Sequence, residues 1–292
     1  MHKSSDSPPP SFVTKLVNDG TFVLLASPLN RSLVSALLQI RPHITELSII
    51  WRGDAGDTRL LDDFVGLRRL KVTNRTQCAL PPLSRLINLR VLEVISDTRF
   101  DADLRRWPLL ESLSLTWNGK LESLGCTKLR SLYVTPWRQP DLAPLGNLPH
   151  LRNLEITGGS LRSLSGVEAC KRLENLTIAY LTKLEDFSAI RSVPSLKTVT
   201  IDSCKRLHSL SCLAPLPNLE KLDLNNVGNI ESLEPLRAND KLTALYFAQS
   251  TNVLDGNTKV IVHMGIDKFA FQNRRHYNFT YNHLLLRTPD GP

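Results

Sequence analysis

Cysteine and histidine carry the most chemistry in this chain, and their placement argues against its use. The five cysteines stand at positions 78, 126, 170, 204 and 212. No two form a CxxC pair and the count is odd, so neither a zinc site nor a disulfide framework follows. The seven histidines are scattered, and none pairs with another at metal-ligand spacing. There is no GxGxxG, P-loop, GxSxG or HExxH pattern. A cysteine–histidine nucleophile needs only proximity in space, so it stays open as the enzymatic reading and predicts one thiol of unusual reactivity. The bland alternative is that the cysteines pack as small apolar side chains. The expectation is a protein that is not an enzyme and uses no metal and no cofactor.

The elements that would position any site form a repeat. The pattern LxxLxL, with Val, Ile or Phe substituting, recurs as ITELSI at 44, LRRLKV at 67, LRVLEV at 89, LESLSL at 110 and LRSLYV at 129. It continues as LRNLEI at 151, LENLTI at 173, LKTVTI at 196, LEKLDL at 219 and LTALYF at 242. Fainter copies, TFVLLA at 21 and IDKFAF at 266, flank this run. Positions one, four and six are apolar and point inward, while two, three and five are mostly polar and point outward. That is a short strand with one buried face, and equal strands at one period lie parallel. Between strands a second apolar set returns, as in LAPLGNLPH before Leu151 and LSCLAPLPN before Leu219. Its prolines and short length favour turns and 3₁₀ pieces over long helices.

These residues resemble the leucine-rich-repeat family, whose pattern is LxxLxLxxN/CxL. The closest subtype is the bacterial 22–23-residue repeat, and LEKLDLNNVGNIESLEPLRAND from Leu219 is the clearest copy. The resemblance covers about residues 21–272. It implies an α/β leucine-rich-repeat solenoid with a parallel β-sheet on the concave face and short turns or 3₁₀ segments on the convex face. One departure stands out. Asn118 and Cys204 fit the ninth position, but Arg52, Arg75, Asp97, Trp137, Gly159 and Leu181 do not. The asparagine ladder is broken, and other groups or water must satisfy the turns.

The chain divides into a disordered tail over 1–10, an N-terminal cap over 11–43, repeats over 44–265, a C-terminal capping strand with a basic–aromatic segment over 266–286, and a flexible tail over 287–292. The cap is expected to hold a short helix within 27–41, with Ser27 or Asn30 as its N-cap and Pro42 as its stop. Leu33, Val34, Leu37 and Leu38 would share its buried face. The segment Arg274, Arg275, His276, Tyr277, Phe279 and Tyr281 reads first as a cap over the last apolar layer and second as a contact site. The net charge of +8 is spread without a basic tail, which permits nucleic-acid contact without arguing for it. With no apolar leader or spanning stretch visible, the expected location is cytoplasmic, away from membranes, and a monomer is favoured.

Function then falls to the outward columns. The second position reads Thr45, Arg68, Arg90, Glu111, Arg130, Arg152, Glu174, Lys197, Glu220 and Thr243, with Arg69 beside Arg68. Stacked arginines repel unless they are paired or meet an acidic partner, and Glu93 and Glu155 could neutralise part of the stripe. Trp51, Trp117, Trp137 and Tyr180 follow the buried ends of their strands and, with Tyr133 and Tyr246, would line one rim. Exposed Trp and Tyr beside Arg is the composition of binding hot spots. The alternative is that these rings pack on the turns in place of the missing asparagines. The candidate protein-binding residues are Arg68, Arg69, Arg90, Trp117, Arg130, Tyr133, Trp137, Arg152 and Tyr180, and the expected partner is a protein with an acidic patch. The family resemblance implies an immunity, inhibitor or adaptor role. Nucleic-acid binding by the basic stripe is the alternative, and the acidic interruptions count against it.

Overall fold

A computed structural model of the chain describes residues 12–17, 20–40, 43–52, 54–74, 82–96, 104–116, 128–214 and 216–282. They fall into two compact units, Met1–Gly119 and Lys120–Pro292. Each unit is a stretch of leucine-rich repeats.

In the first unit the strands are β1 (Phe12–Val17), β2 (Gly20–Leu25), β3 (Ile44–Trp51), β4 (Arg69–Asn74), β5 (Val91–Ser96) and β6 (Ser112–Thr116). From β2 to β6 each strand pairs in parallel with the next. β1 is the exception. It runs antiparallel to β2 and makes the N-terminal edge a hairpin, an element the periodicity does not announce. A helix, α1 (Arg31–Ile40), follows β2. Asn30 is its cap, since its Oδ1 accepts the Leu33 N–H at 2.9 Å. Leu33, Val34 and Leu37 are buried, whereas Leu38 is only partly covered.

In the second unit the main sheet runs β7 (Ser131–Thr135), β8 (Asn153–Thr157), β9 (Asn175–Ala179), β10 (Thr198–Asp202), β11 (Lys221–Asn225), then β13 (Ala244–Ala248) and β15 (Lys268–Phe271). All these neighbours are parallel. A two-stranded ladder joins β12 (Asn229–Ile230) to β14 (Asn252–Val253), and one helical turn, α2 (Val260–His263), precedes β15. Opposite the sheet lie 3₁₀ turns at Ala143–Asn147, Val167–Ala169, Ser188–Ser192, Ser211–Leu213 and Glu234–Ala238. The register keeps like above like: Leu176, Val199, Leu222 and Leu245 stack, as do Ile178, Ile201, Leu224 and Phe247, all at most 1 % exposed. Stacking is what each repeat needs, because one repeat cannot bury its own apolar face.

The broken asparagine ladder has a backbone solution. Position eight of five successive repeats is left-handed: Gly158 (φ 66°), Tyr180 (55°), Ser203 (53°), Asn226 (53°) and Gln249 (57°). That conformation turns the position-eight N–H toward the next repeat. The Gly158 N–H bonds the Ala179 carbonyl at 2.7 Å, Tyr180 bonds Asp202 at 2.9 Å, Ser203 bonds Asn225 at 2.9 Å and Asn226 bonds Ala248 at 3.2 Å. With the turn closed this way, position nine can be apolar, and Leu181, Cys204 and Val227 are buried there. Trp137 is buried at the same position but follows Pro136, and its own N–H bonds the Gly158 carbonyl at 2.9 Å. Gly159 takes that place in its repeat because a Cβ would stand 1.9 Å from the Trp137 carbonyl oxygen.

The C-terminal end is closed by aromatic rings. Phe271 stacks on Phe247 at 4.8 Å, and Tyr277 and Tyr281 meet Phe271 edge-on. The Tyr277 hydroxyl is buried and accepts the Val253 N–H at 3.0 Å. Arg274 donates to the Gln249 carbonyl.

Candidate outward binding surface

Each arginine of the second-position column is set by a pair of backbone bonds. The Arg130 carbonyl accepts the Arg152 and Asn153 N–H groups at 2.8 and 2.9 Å, and the Arg152 carbonyl accepts those of Glu174 and Asn175. The same pattern joins Arg68 to Arg90 and Val91 in the first unit. Such residues stand one place before their strands begin, so their side chains line the N-terminal edge of the sheet. Positions three and five make its outward face. The stripe therefore runs along the strand starts, and its arginines are exposed beside the outward face.

In the first unit Arg68 and Arg90 are exposed, and Arg90 pairs with Glu111. Arg69 pairs with Glu46 at 3.6 Å and Lys71 with Glu93 at 2.7 Å. Trp117 lies outside the described residues. Above the charged rungs, Ile50 and Ile95 flank Thr73 on adjacent strands, and both isoleucines are more than a third exposed.

In the second unit Arg152 pairs with Glu174 at 2.7 Å, and Lys197 shares that carboxylate at 3.3 Å. These pairs are exposed, so each contributes only about 0–1 kcal/mol. Arg130 is exposed, and among the described residues its side chain has no ion pair or hydrogen bond. Glu155 likewise has no ion pair there. Tyr133 is partly exposed on β7, and Tyr180 is 60 % exposed just past β9. Trp137 is corrected. It is 1 % exposed, and its Nε1 donates to the Asp141 carbonyl at 2.9 Å. Trp51 is buried in the same way, donating to the Ser27 carbonyl at 3.1 Å. An indole can donate from Nε1 only, so each ring fills a turn and satisfies one carbonyl. Sequence spacing alone also missed the outward polar ladder in which Asn175 donates to Asn153 (2.7 Å) and Asn153 to Ser131 (2.9 Å). Asparagine at position three of two consecutive repeats was the signal.

The chemistry of the thiols is equally plain. Burial pushes Cys170, Cys204 and Cys212 up to about 11, away from the thiolate that a nucleophile needs. We expect these three to resist alkylation at pH 8 in the folded protein and to react once it is unfolded. Mass spectrometry of the modified peptides checks this, and rapid labelling of any of the three would overturn it. Among the described residues no group of three His, Cys, Asp or Glu side chains is placed to hold a metal, and no helix is long and apolar enough to cross a membrane.

The parallel strands paired at offsets of 21–24 residues, the 3₁₀ returns and the stacked leucines define a leucine-rich-repeat solenoid. Known structures share it. An internalin of Listeria monocytogenes is 15 % identical over 90 % of this chain and 87 % of its own, with a TM-score of 0.63. A leucine-rich-repeat protein of Leptospira interrogans is 17 % identical over 85 % of this chain and 70 % of its own, with a TM-score of 0.55. The ectodomain of an Arabidopsis thaliana membrane receptor kinase, solved in complex with Casparian strip integrity factor 2, is 15 % identical over 83 % of this chain and 34 % of its own, also at 0.55. No family model and no curated protein matches the chain.

Proposed function

We propose that this chain is a non-enzymatic scaffold that binds a protein partner through the outward side of its repeat sheets. The contacts are Arg68, Arg69 and Arg90 in the first unit and Arg130, Tyr133, Arg152 and Tyr180 in the second. The observation that carries this reading is Tyr180. Its φ of 55° belongs to the turn that Ser203, Asn226 and Gln249 share, so what sets it apart is the ring. The ring recovers little by packing, since it is 60 % exposed. A large aromatic ring presented to solvent beside arginines is the profile of an interface anchor.

Arginines along the adjoining strand edge suit a partner with acidic side chains, where they set encounter rate and register. The receptor ectodomain solved with its bound factor supports the reading by analogy. A scaffold without catalysis acts by blocking or joining other proteins, so the role that follows is inhibitor or adaptor.

The test is capture from the source cell with three baits: the intact protein, Tyr180→Gly, and Arg68→Glu/Arg90→Glu/Arg130→Glu. Glycine relieves left-handed strain of about 1 kcal/mol, so Tyr180→Gly should be at least as stable as the parent. It should nonetheless lose partner affinity by roughly tenfold, the equivalent of about 1.4 kcal/mol. The arginine variant should keep its melting temperature and lose the same partner. A partner held equally by all three baits would place the interface elsewhere. A captured nucleic acid whose retention falls steeply with salt would favour the nucleic-acid alternative.

A further inference from the structure

One open depression in the second unit gathers basic side chains. It has a volume of about 330 Å³ and is lined by Arg152, Lys171, Arg172, Glu174, Ser195, Lys197 and Asn218. Three successive repeats supply it. Arg152, Glu174 and Lys197 stand at the second position of their repeats, and Lys171 and Arg172 come from the turn after the Val167–Ala169 3₁₀ piece.

Its charges do not cancel. Glu174 is the one carboxylate, and it is already shared by Arg152 at 2.7 Å and Lys197 at 3.3 Å. Lys171 and Arg172 are exposed, and neither has a carboxylate partner among the described residues. The Arg172 Nη1 lies 3.1 Å from Nδ1 of His150, a contact that brings no carboxylate to the guanidinium. Four cations against one carboxylate leave an excess of three charges. Hydrogen bonds fix its polar lining. Ser195 Oγ donates to the Leu173 carbonyl at 2.8 Å, Asn218 Nδ2 donates to the Pro194 carbonyl at 2.9 Å, and Asn218 Oδ1 accepts Lys241 Nζ at 2.7 Å.

We infer that this depression binds a phosphate monoester. A carboxylate would neutralise one of the three excess charges. A monoester carries about −1.5 to −2 at neutral pH and offers three acceptor oxygens, enough for the Arg172 fork, the Lys171 ammonium and one donor from Arg152 or Lys197. Arginine binds such a group with two parallel N–H bonds, and lysine adds a point charge. Its cations all come from Arg152, Lys171, Arg172 and Lys197, a cluster sized for one phosphoryl group. The inference concerns this pocket alone and goes beyond the protein-binding reading.

The test uses the full chain at low salt and a fluorescent peptide with one phosphoserine among glycines and serines. Matched peptides carry glutamate or serine at that place, and inorganic phosphate serves as competitor. The phosphoserine peptide should bind roughly tenfold or more tightly than the glutamate peptide, in line with its extra charge. Lys171→Gln/Arg172→Gln should abolish that preference. The control pair Arg162→Gln/Arg191→Gln removes equal charge from exposed arginines outside the depression and should leave it within about twofold, as screened distant charges do. Competition by inorganic phosphate at the peptide's own affinity supports a free phosphate as the ligand. Markedly tighter binding of the peptide supports a phosphoryl group carried on a protein. Equal binding of the phosphoserine and glutamate peptides, or equal loss in the two variant pairs, overturns the inference. So does a short DNA duplex that binds more tightly than the phosphopeptide. Failure here leaves partner capture by the Tyr180 and Arg68/Arg90/Arg130 baits untouched, so the two readings fail separately.

Discussion

Trp137→Ala is expected to lower the stability of the second unit by about 3–5 kcal/mol, the usual cost of deleting a buried large aromatic ring. The ring is 1 % exposed in a position that other repeats fill with Leu181, Cys204 and Val227. Its backbone is pinned on both sides, with the N–H donating to the Gly158 carbonyl at 2.9 Å and the carbonyl accepting the Ser160 N–H at 2.8 Å. No side-chain movement can therefore refill the space without disturbing the turn. Trp137→Phe separates two contributions. It keeps most of the apolar volume and loses the 2.9 Å bond from Nε1 to the Asp141 carbonyl, a loss of about 1 kcal/mol. Urea unfolding followed by circular dichroism measures both, with amide exchange to assign the loss to the second unit. If Trp137→Ala unfolds like the parent yet no longer holds its partner, the ring is a surface anchor and the burial described above is wrong.

That variant also marks where the sequence could and could not be read. The architecture was legible because the repeat strands share one pattern of two inward apolar positions, aliphatic in most and phenylalanine toward the C-terminal end, and so regular a period admits only stacked parallel strands. α1 was legible through its capping residue and apolar face. β1 was not, because a hairpin that closes one edge occurs once and has no copy to reveal it. Two of the rim rings were misplaced for a related reason. Trp51 and Trp137 follow their strands much as Tyr180 does, yet both are 1 % exposed, while Tyr180 stands at φ 55° and is 60 % exposed. A periodic pattern states which side chains alternate, and it does not state the φ of the residue that ends the alternation.

The arginine stripe was legible as a column and illegible as a geometry. Position two has the parity of the buried positions four and six, so along an extended strand it would point inward. It points to solvent only because the strand has not begun there, and its carbonyl is held by two N–H groups of the next repeat. The acidic interruptions also have a local meaning. Glu174 bridges neighbours on both sides, Arg152 and Lys197, and leaves one positive charge, while Lys171 and Arg172 enter from the preceding turn and raise the excess to three. Reading only the strand positions counts the acid and overlooks the two cations.

The second large effect is expected at Asn239, which spacing analysis passes over because it lies on the return side. The same place in earlier repeats holds Leu148, Cys170, Val193 and Leu216, all buried. In three of those repeats the 3₁₀ return closes on itself, with Leu148 N–H on Leu145, Cys170 on Val167 and Val193 on Ile190. The fourth return is held open by Asn239. Its Oδ1 accepts the Leu216 N–H at 3.1 Å and its Nδ2 donates to the Leu213 carbonyl at 3.0 Å. The carboxamide is 4 % exposed, so Asn239→Ala strands a buried donor and a buried acceptor together. Each such group costs about 1–3 kcal/mol, and we expect a loss of about 2–4 kcal/mol in urea unfolding. Asn239→Asp distinguishes lost hydrogen bonding from lost volume. The ionised carboxylate can accept from Leu216 and cannot donate to Leu213, and burial raises its folded pKa above the unfolded value. Between those two values the folded state holds the proton more often, so stability falls as pH rises. The aspartate variant should therefore come nearest the parent at about pH 4, the unfolded carboxyl value, and lose stability as pH rises until it resembles or falls below the alanine variant at about pH 8, each compared with the parent at the same pH. An alanine variant within about 0.5 kcal/mol of the parent would mean that the Ser211–Leu213 return closes by itself when the side chain is removed, and that Asn239 clamps nothing.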